Sequence, residues 1–197
     1  MKFFGPSKKE VWAQMAQEVN GEYIDEGFWR GGRVEVVYKN WVLNLDTYTV
    51  HTGKSSVTFT RMRAPFVNKD GLSFRIYYRG IFSDIGKLFG MQDIEIGIEE
   101  FDKIFIVQGN NEDRIVRLFS SFKIRELLSR QPALMLQVVN EKGRFKPKSP
   151  EGECALSFEV VGVIKDVERL KNLVELFKCV LDELELLGTA GNGTPAE

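Results

Sequence analysis

Between Arg33 and Arg79 the hydrophobic period of the chain is two. Val34, Val36 and Tyr38 alternate with Arg33, Glu35 and Lys39, and Trp41, Leu43 and Leu45 share a face that continues into Thr47 and Thr49. In 56–63, Val57, Phe59, Arg61 and Arg63 alternate with Thr58, Thr60 and Met62. In 72–80, Leu72, Phe74, Ile76 and Tyr78 alternate with Ser73, Arg75, Tyr77 and Arg79. Side chains two apart on an extended chain share a face, so each segment is a strand with one face to bury. Turn residues at Gly53 and at Asn68-Lys69-Asp70-Gly71 separate the strands and predict a four-stranded antiparallel meander.

A sheet with one apolar face needs a cover, and the C-terminal part of the chain offers one. Asp166 is placed to cap a helix with apolar residues at 167, 170, 173, 174, 177, 180, 181, 184 and 187, ended by Gly188. Other helices are predicted over 8–20, where Ser7 and Glu10 form a capping box, and from Asn110-Asn111 with a break at Ser120-Ser121. A short amphipathic helix is expected over 81–91. Further strands are expected at 92–96, 103–108, 133–139 and 154–163, the last two joined by a polar hairpin loop. Strands follow one another without βαβ alternation, so the class is α+β: a curved antiparallel sheet packed against a long C-terminal helix. One domain over 1–188 is expected, with a soft joint near 97–102 and a polar, Gly-rich disordered tail over 189–197.

Composition narrows the function classes. Twenty-seven basic and 28 acidic residues give a net charge of −1, against a generic nucleic-acid binder. No apolar run is long enough to span a bilayer, and Gly5-Pro6 interrupts the N-terminal one, so a cytoplasmic location is expected. One histidine and two cysteines argue against His/Cys metal sites and against a disulfide scaffold. His51 has no recognisable catalytic partner, and Walker, G-x-S-x-G, C-x-x-C and H-E-x-x-H motifs are missing, so no cofactor is implied. Asp93 and Glu95, within an acidic segment that continues to Glu99, Glu100 and Asp102, are the metal-ligand candidates, although their spacing matches no known calcium loop.

Charge is unevenly spread. Residues 54–90 hold seven basic and two acidic side chains, whereas 91–113 hold one basic and seven acidic. A hairpin of 56–63 with 72–80 in which Arg61 faces Arg75 would gather Arg61, Arg63, Arg75 and Arg79 with Phe59 and Tyr77 on one face. Guanidinium groups interleaved with aromatics suit a phosphate-bearing or otherwise anionic ligand. The plainer reading is a solvated face, or one neutralised by the acidic 91–102 segment.

One segment resembles a known group. Gly97, Phe101-Asp102, Phe105, Val107 and Gly109-Asn110-Asn111 spell G-x-x-x-F-D-x-x-F-x-V-x-G-N-N, followed by Arg117-Leu118-Phe119 and Ile124-Arg125-Glu126-Leu127-Leu128. This resembles uncharacterised bacterial domains of unknown function, and the resemblance implies no catalytic residues. The sequence therefore points to a binding or interaction domain rather than an enzyme, with a protein partner or a small anionic ligand at the arginine face. The alternative is a carrier of small hydrophobic molecules with a cavity between sheet and C-terminal helix. Oligomeric state is left open.

Overall fold

The computed structural model describes residues 5–27, 31–80, 92–140 and 153–191. The predicted 81–91 helix, the 141–152 part of the hairpin loop and the 192–197 part of the tail lie outside them.

The chain opens with α1 (Lys8–Glu18), whose start is fixed by the predicted capping box: the Ser7 hydroxyl accepts from the Glu10 N–H at 3.2 Å, and the Glu10 carboxylate accepts from the Ser7 N–H at 2.8 Å. Four strands come next: β1 (Glu22–Asp25), β2 (Gly32–Tyr38), β3 (Trp41–Thr52) and β4 (Ser55–Asn68). After these come β5 (Phe74–Tyr78), β6 (Gln92–Ile94), α2 (Glu99–Ile104) and β7 (Phe105–Gly109). Then α3 (Glu112–Ser120), capped by Asn111, breaks at Ser121 into α4 (Phe122–Ser129). Last are β8 (Met135–Asn140), β9 (Glu153–Val161), α5 (Val167–Leu186) and β10 (Ala190–Gly191).

The strands form one open antiparallel sheet in the order β1-β2-β3-β4-β9-β8-β5-β7-β6, with β10 on β4. The fold is α+β, and α5 packs on the sheet. The expected four-strand meander is corrected here. β2, β3 and β4 follow one another, but β5 does not join β4; it inserts between β7 and β8, and β9 takes the place beside β4. The reason is length. β4 is 14 residues long and β5 only five, so β9, with nine residues, can satisfy far more of the β4 edge than β5 can.

One sheet face is largely apolar, with Thr47 and the buried Thr60 on it. Val34, Val36, Leu43, Leu45, Met62, Ala64, Phe66, Leu136, Leu156, Phe158, Phe74, Ile76 and Val107 are all buried in one cluster with the helices. Helix α5 contributes Leu170, Leu173, Val174, Leu176, Phe177, Val180, Leu181 and Leu184, none more than 1% exposed. These side chains and those of the apolar sheet face form one buried cluster. Gly188, at φ +75°, ends the run on α5. Residues 189–191, expected within a disordered tail, instead belong to the fold. Ala190 pairs with Asn68, Thr189 is fully buried, and the Trp41 indole N–H donates to the Gly191 carbonyl at 3.3 Å. The stretch 97–102 is tied by Asp102, whose carboxylate accepts the N–H groups of Ile96, Gly97 and Ile98 at 2.9–3.0 Å.

Candidate functional site: a polar row on the outer sheet face

The face of the sheet turned away from the apolar cluster carries a continuous polar row. Following the register from strand to strand gives Glu22, Glu35, Asn44, Arg63, Ser157, Gln137, Arg75, Gln108 and Asp93. The next row contains Asp46, Arg61, Glu159, Met135, Tyr77 and Ile106. Phe59 stands one row further on, stacked on Tyr48 with ring centroids 5.1 Å apart.

Phe59, Arg61, Arg63, Arg75 and Tyr77 therefore share a face, but not through the expected hairpin. Arg61 does not face Arg75. Strands β9 and β8 stand between them, which at about 4.8 Å per strand puts β4 and β5 about 14 Å apart. Arg79 lies beyond the end of β5, exposed, with its guanidinium donating to the Asp102 carbonyl at 3.0 Å.

The guanidinium groups are in different states. Arg61 is held by Asp46 of the neighbouring strand through two hydrogen bonds, Nε to Oδ1 at 2.9 Å and Nη2 to Oδ2 at 2.6 Å. Burial opposes its charge, but the hydrogen bonds and charge of Asp46 outweigh that, and its pKa is raised. Its carbon over the Tyr48 ring, 4.8 Å from the centroid, adds a cation–π contact. Arg63 lies 3.8 Å from the same carboxylate. Neutralisation at this end thus comes from Asp46, not from the acidic 91–102 segment.

Arg75 differs. Among the described residues no carboxylate lies within ion-pair distance of it; its Nε donates to the Gln137 side-chain oxygen at 2.9 Å, and its Nη1 is buried without a hydrogen-bond partner. Burial lowers its pKa, partly offset by Tyr77 and Glu159. On the strand beside it, Gln108 is 4% exposed, donates from Nε2 to Asp93 Oδ1 at 2.9 Å, and has an Oε1 with no partner. Ser157 and Gln137 are also buried. Burial raises the Tyr77 pKa, with Asp93 adding to the effect and Arg75 and Arg79 opposing it.

Gln108, Gln137 and Ser157 carry a signal that periodicity hides. Each is a lone polar residue inside an apolar run, Ile106-Val107-Gln108, Leu136-Gln137-Val138 and Leu156-Ser157-Phe158. A polar side chain kept in such a run has a partner to serve.

The metal candidates Asp93 and Glu95 line one cavity together with Asp102, but not in a metal-holding arrangement. Asp93 receives the Gln108 amide, Glu95 is exposed just past β6, and among the described residues no group of three or more His, Cys, Asp or Glu side chains is placed to hold a metal ion. That cavity, about 270 Å³ and lined also by Ile106 and Arg79, opens beside the β6 end of the row. His51, opposite Ser56 at the exposed end of β3, and Cys154, opposite Phe66, are both in phase with the apolar face. Both cysteines are free. No helix among the described residues is long and apolar enough to cross a membrane. No family model, no curated protein and no solved structure matches the chain.

Proposed function

We propose that this chain is a non-enzymatic binding module that holds an anionic ligand on its outer sheet face at Arg75. One observation supports this reading above the others: Arg75 is a half-buried guanidinium whose hydrogen-bonding partner is a neutral amide and whose Nη1 has none. An unused buried donor on a cation costs about 1–3 kcal/mol or more. Arg61, whose charge is already matched by Asp46, carries no such deficit. An oxyanion at Arg75 would supply both the missing acceptor and the missing charge. The neighbours of Arg75 are amides, a serine without a histidine to activate it and a tyrosine, a set suited to holding a ligand rather than transforming it.

The test is thermal denaturation of the whole chain with sodium phosphate, sulfate and small carboxylates at fixed ionic strength. Binding to the folded state alone adds about 2.7 kcal/mol at a hundredfold excess over Kd. At least one anion should raise the midpoint, and the rise should vanish in Arg75→Ala and persist in Arg79→Ala. Each variant's shift is taken from its own midpoint, and Arg75→Lys serves as a second variant if alanine destabilises the fold. No shift with any anion, or shifts indifferent to Arg75, would overturn the proposal.

A further inference from the structure

The two unpartnered atoms of the Arg75 site have opposite chemistry. Nη1 of Arg75 is a donor without an acceptor, and Oε1 of Gln108 is an acceptor without a donor. The ladder sets the two residues directly opposite each other on β5 and β7. The Gln108 amide is not free to turn over. Its Nε2 donates to the Asp93 carboxylate at 2.9 Å, and reversing it would bring two acceptors together. On the other flank Gln137 is fixed in the same way, its oxygen taken by Arg75 Nε. The site thus presents a cationic donor beside an oriented carbonyl oxygen, with Asp93 behind it.

Few anions suit that pair. A carboxylate or a sulfate dianion satisfies Arg75 but sets a bare oxygen against Gln108 Oε1. An oxyanion that still carries a proton satisfies both: one oxygen accepts from Arg75, and its P–OH donates to Gln108. The Asp93 carboxylate favours the same choice, because it penalises each further negative charge on the ligand.

We infer that the ligand of the Arg75 site is a protonated phosphate, inorganic hydrogen phosphate above all, selected over sulfate by the carbonyl oxygen of Gln108. This rests on the anion-binding reading above and adds a rule of selectivity to it. Both orphan atoms are out of contact with solvent, so entry requires a neighbouring side chain to move. The cavity lined by Asp93 and Ile106, the residue two before Gln108 on the same face, lies next to the place where that movement is needed.

Titration calorimetry on the whole chain at matched ionic strength separates the possibilities. Phosphate should bind about tenfold or more tighter than sulfate, the order expected when a buried acceptor faces another acceptor. In Gln108→Leu the two should come within about threefold of each other. A phosphate monoester such as glycerol phosphate loses its remaining proton with a pKa of about 6, so its affinity should fall about 25-fold from pH 5.5 to pH 7.5, while that of inorganic phosphate, which gains a charge but keeps a proton for Gln108, should fall by less. Among the described residues, the charged and titratable side chains near this site are Asp93 on β6, Glu95 just past it, Asp102 on α2, Arg79 and Tyr77 at β5, and Glu159 on β9. No histidine, the side chain whose ordinary pKa lies in that window, is among them.

Equal binding of phosphate and sulfate would overturn this inference and leave the anion site standing. A monoester that binds as well at pH 7.5 as at 5.5, or a phosphate preference that survives in Gln108→Leu, would also overturn it. Binding of neither anion would overturn the inference and the broader reading together. If Gln108→Leu does not fold, the wild-type phosphate-to-sulfate ratio and the monoester pH profile decide.

Discussion

Asp46 is the residue on which the arginine-rich end of the sheet depends. Its carboxylate takes two hydrogen bonds from Arg61 and lies near Arg63, with Arg61 and Asp46 side chains 17% and 26% exposed. Removing one partner of a pair this well covered leaves the other charge poorly solvated. Asp46→Asn should therefore cost about 1–3 kcal/mol in urea denaturation, and adding Arg61→Met should restore much of it, because an apolar stem then replaces the stranded cation. A double variant no more stable than Asp46→Asn would show that the charge pair itself, rather than the uncompensated cation, carries the effect. A second residue-scale prediction concerns alkaline stability. Tyr38 donates to Asp182 at 2.8 Å, and burial together with that carboxylate pushes its pKa from 10.0 up to about 12. The folded state thus holds the phenol proton after the unfolded chain has released it. The contribution is fully present below pH 10 and is lost as pH rises to about 12. In Tyr38→Phe the fall in melting midpoint across that interval should be shallower than in the wild type. Alternation is local: it puts Arg61 with Arg63 on one face of β4 and Arg75 with Tyr77 on one face of β5, whereas their common sheet face was expected through a hairpin that does not form. The sequence did not show which arginine is neutralised, because that depends on Asp46 arriving from another strand.

At the scale of elements, long periodic segments were legible and short ones were not. Helix α5 stands where nine apolar positions and an Asp166 cap put it, and the α3–α4 break falls where the apolar phase slips at Ser121. Strand β1, Glu22-Tyr23-Ile24-Asp25, and helix α2, Glu99–Ile104, escaped notice. Four residues and six residues are too few to establish a period, and both elements are held by tertiary partners: β1 by β2, and α2 by Phe101 against Phe119 of α3, ring centroids 6.1 Å apart. Burial then ranks positions along α5. Phe177 is fully buried, whereas Leu186, on the same helix, is 72% exposed. Phe177→Ala should cost about 3–5 kcal/mol and Leu186→Ala less than about 0.5 kcal/mol, measured as the change in denaturation midpoint at unchanged slope. Near-equal losses would mean that α5 does not bury the face described.

For the molecule as a whole, the order of strands decides which parts can stand alone. A meander of the first four predicted strands would make residues 1–80 a self-contained sheet. The observed order denies that. Both neighbours of β5, β7 and β8, come from beyond residue 100, and the far edge of β4 is satisfied by β9, from residue 153 onward. The apolar face of β2, β3 and β4 would also lose α5, while α1 stays with it. Register between strands so distant in sequence cannot be read from either strand alone, since alternation fixes which face a residue takes but not which strand lies beside it. A fragment of residues 1–80 should therefore show no cooperative thermal transition and a poorly dispersed amide NMR spectrum, while the full chain shows both a transition and dispersion. The Arg75 site should fail with it, because Gln137 and Gln108, which flank Arg75 on either side, belong to the missing strands. A fragment that folded cooperatively would mean that β4 and β5 can find each other without β9 and β8, and that the nine-strand order is not required to hold the first half of the sheet together.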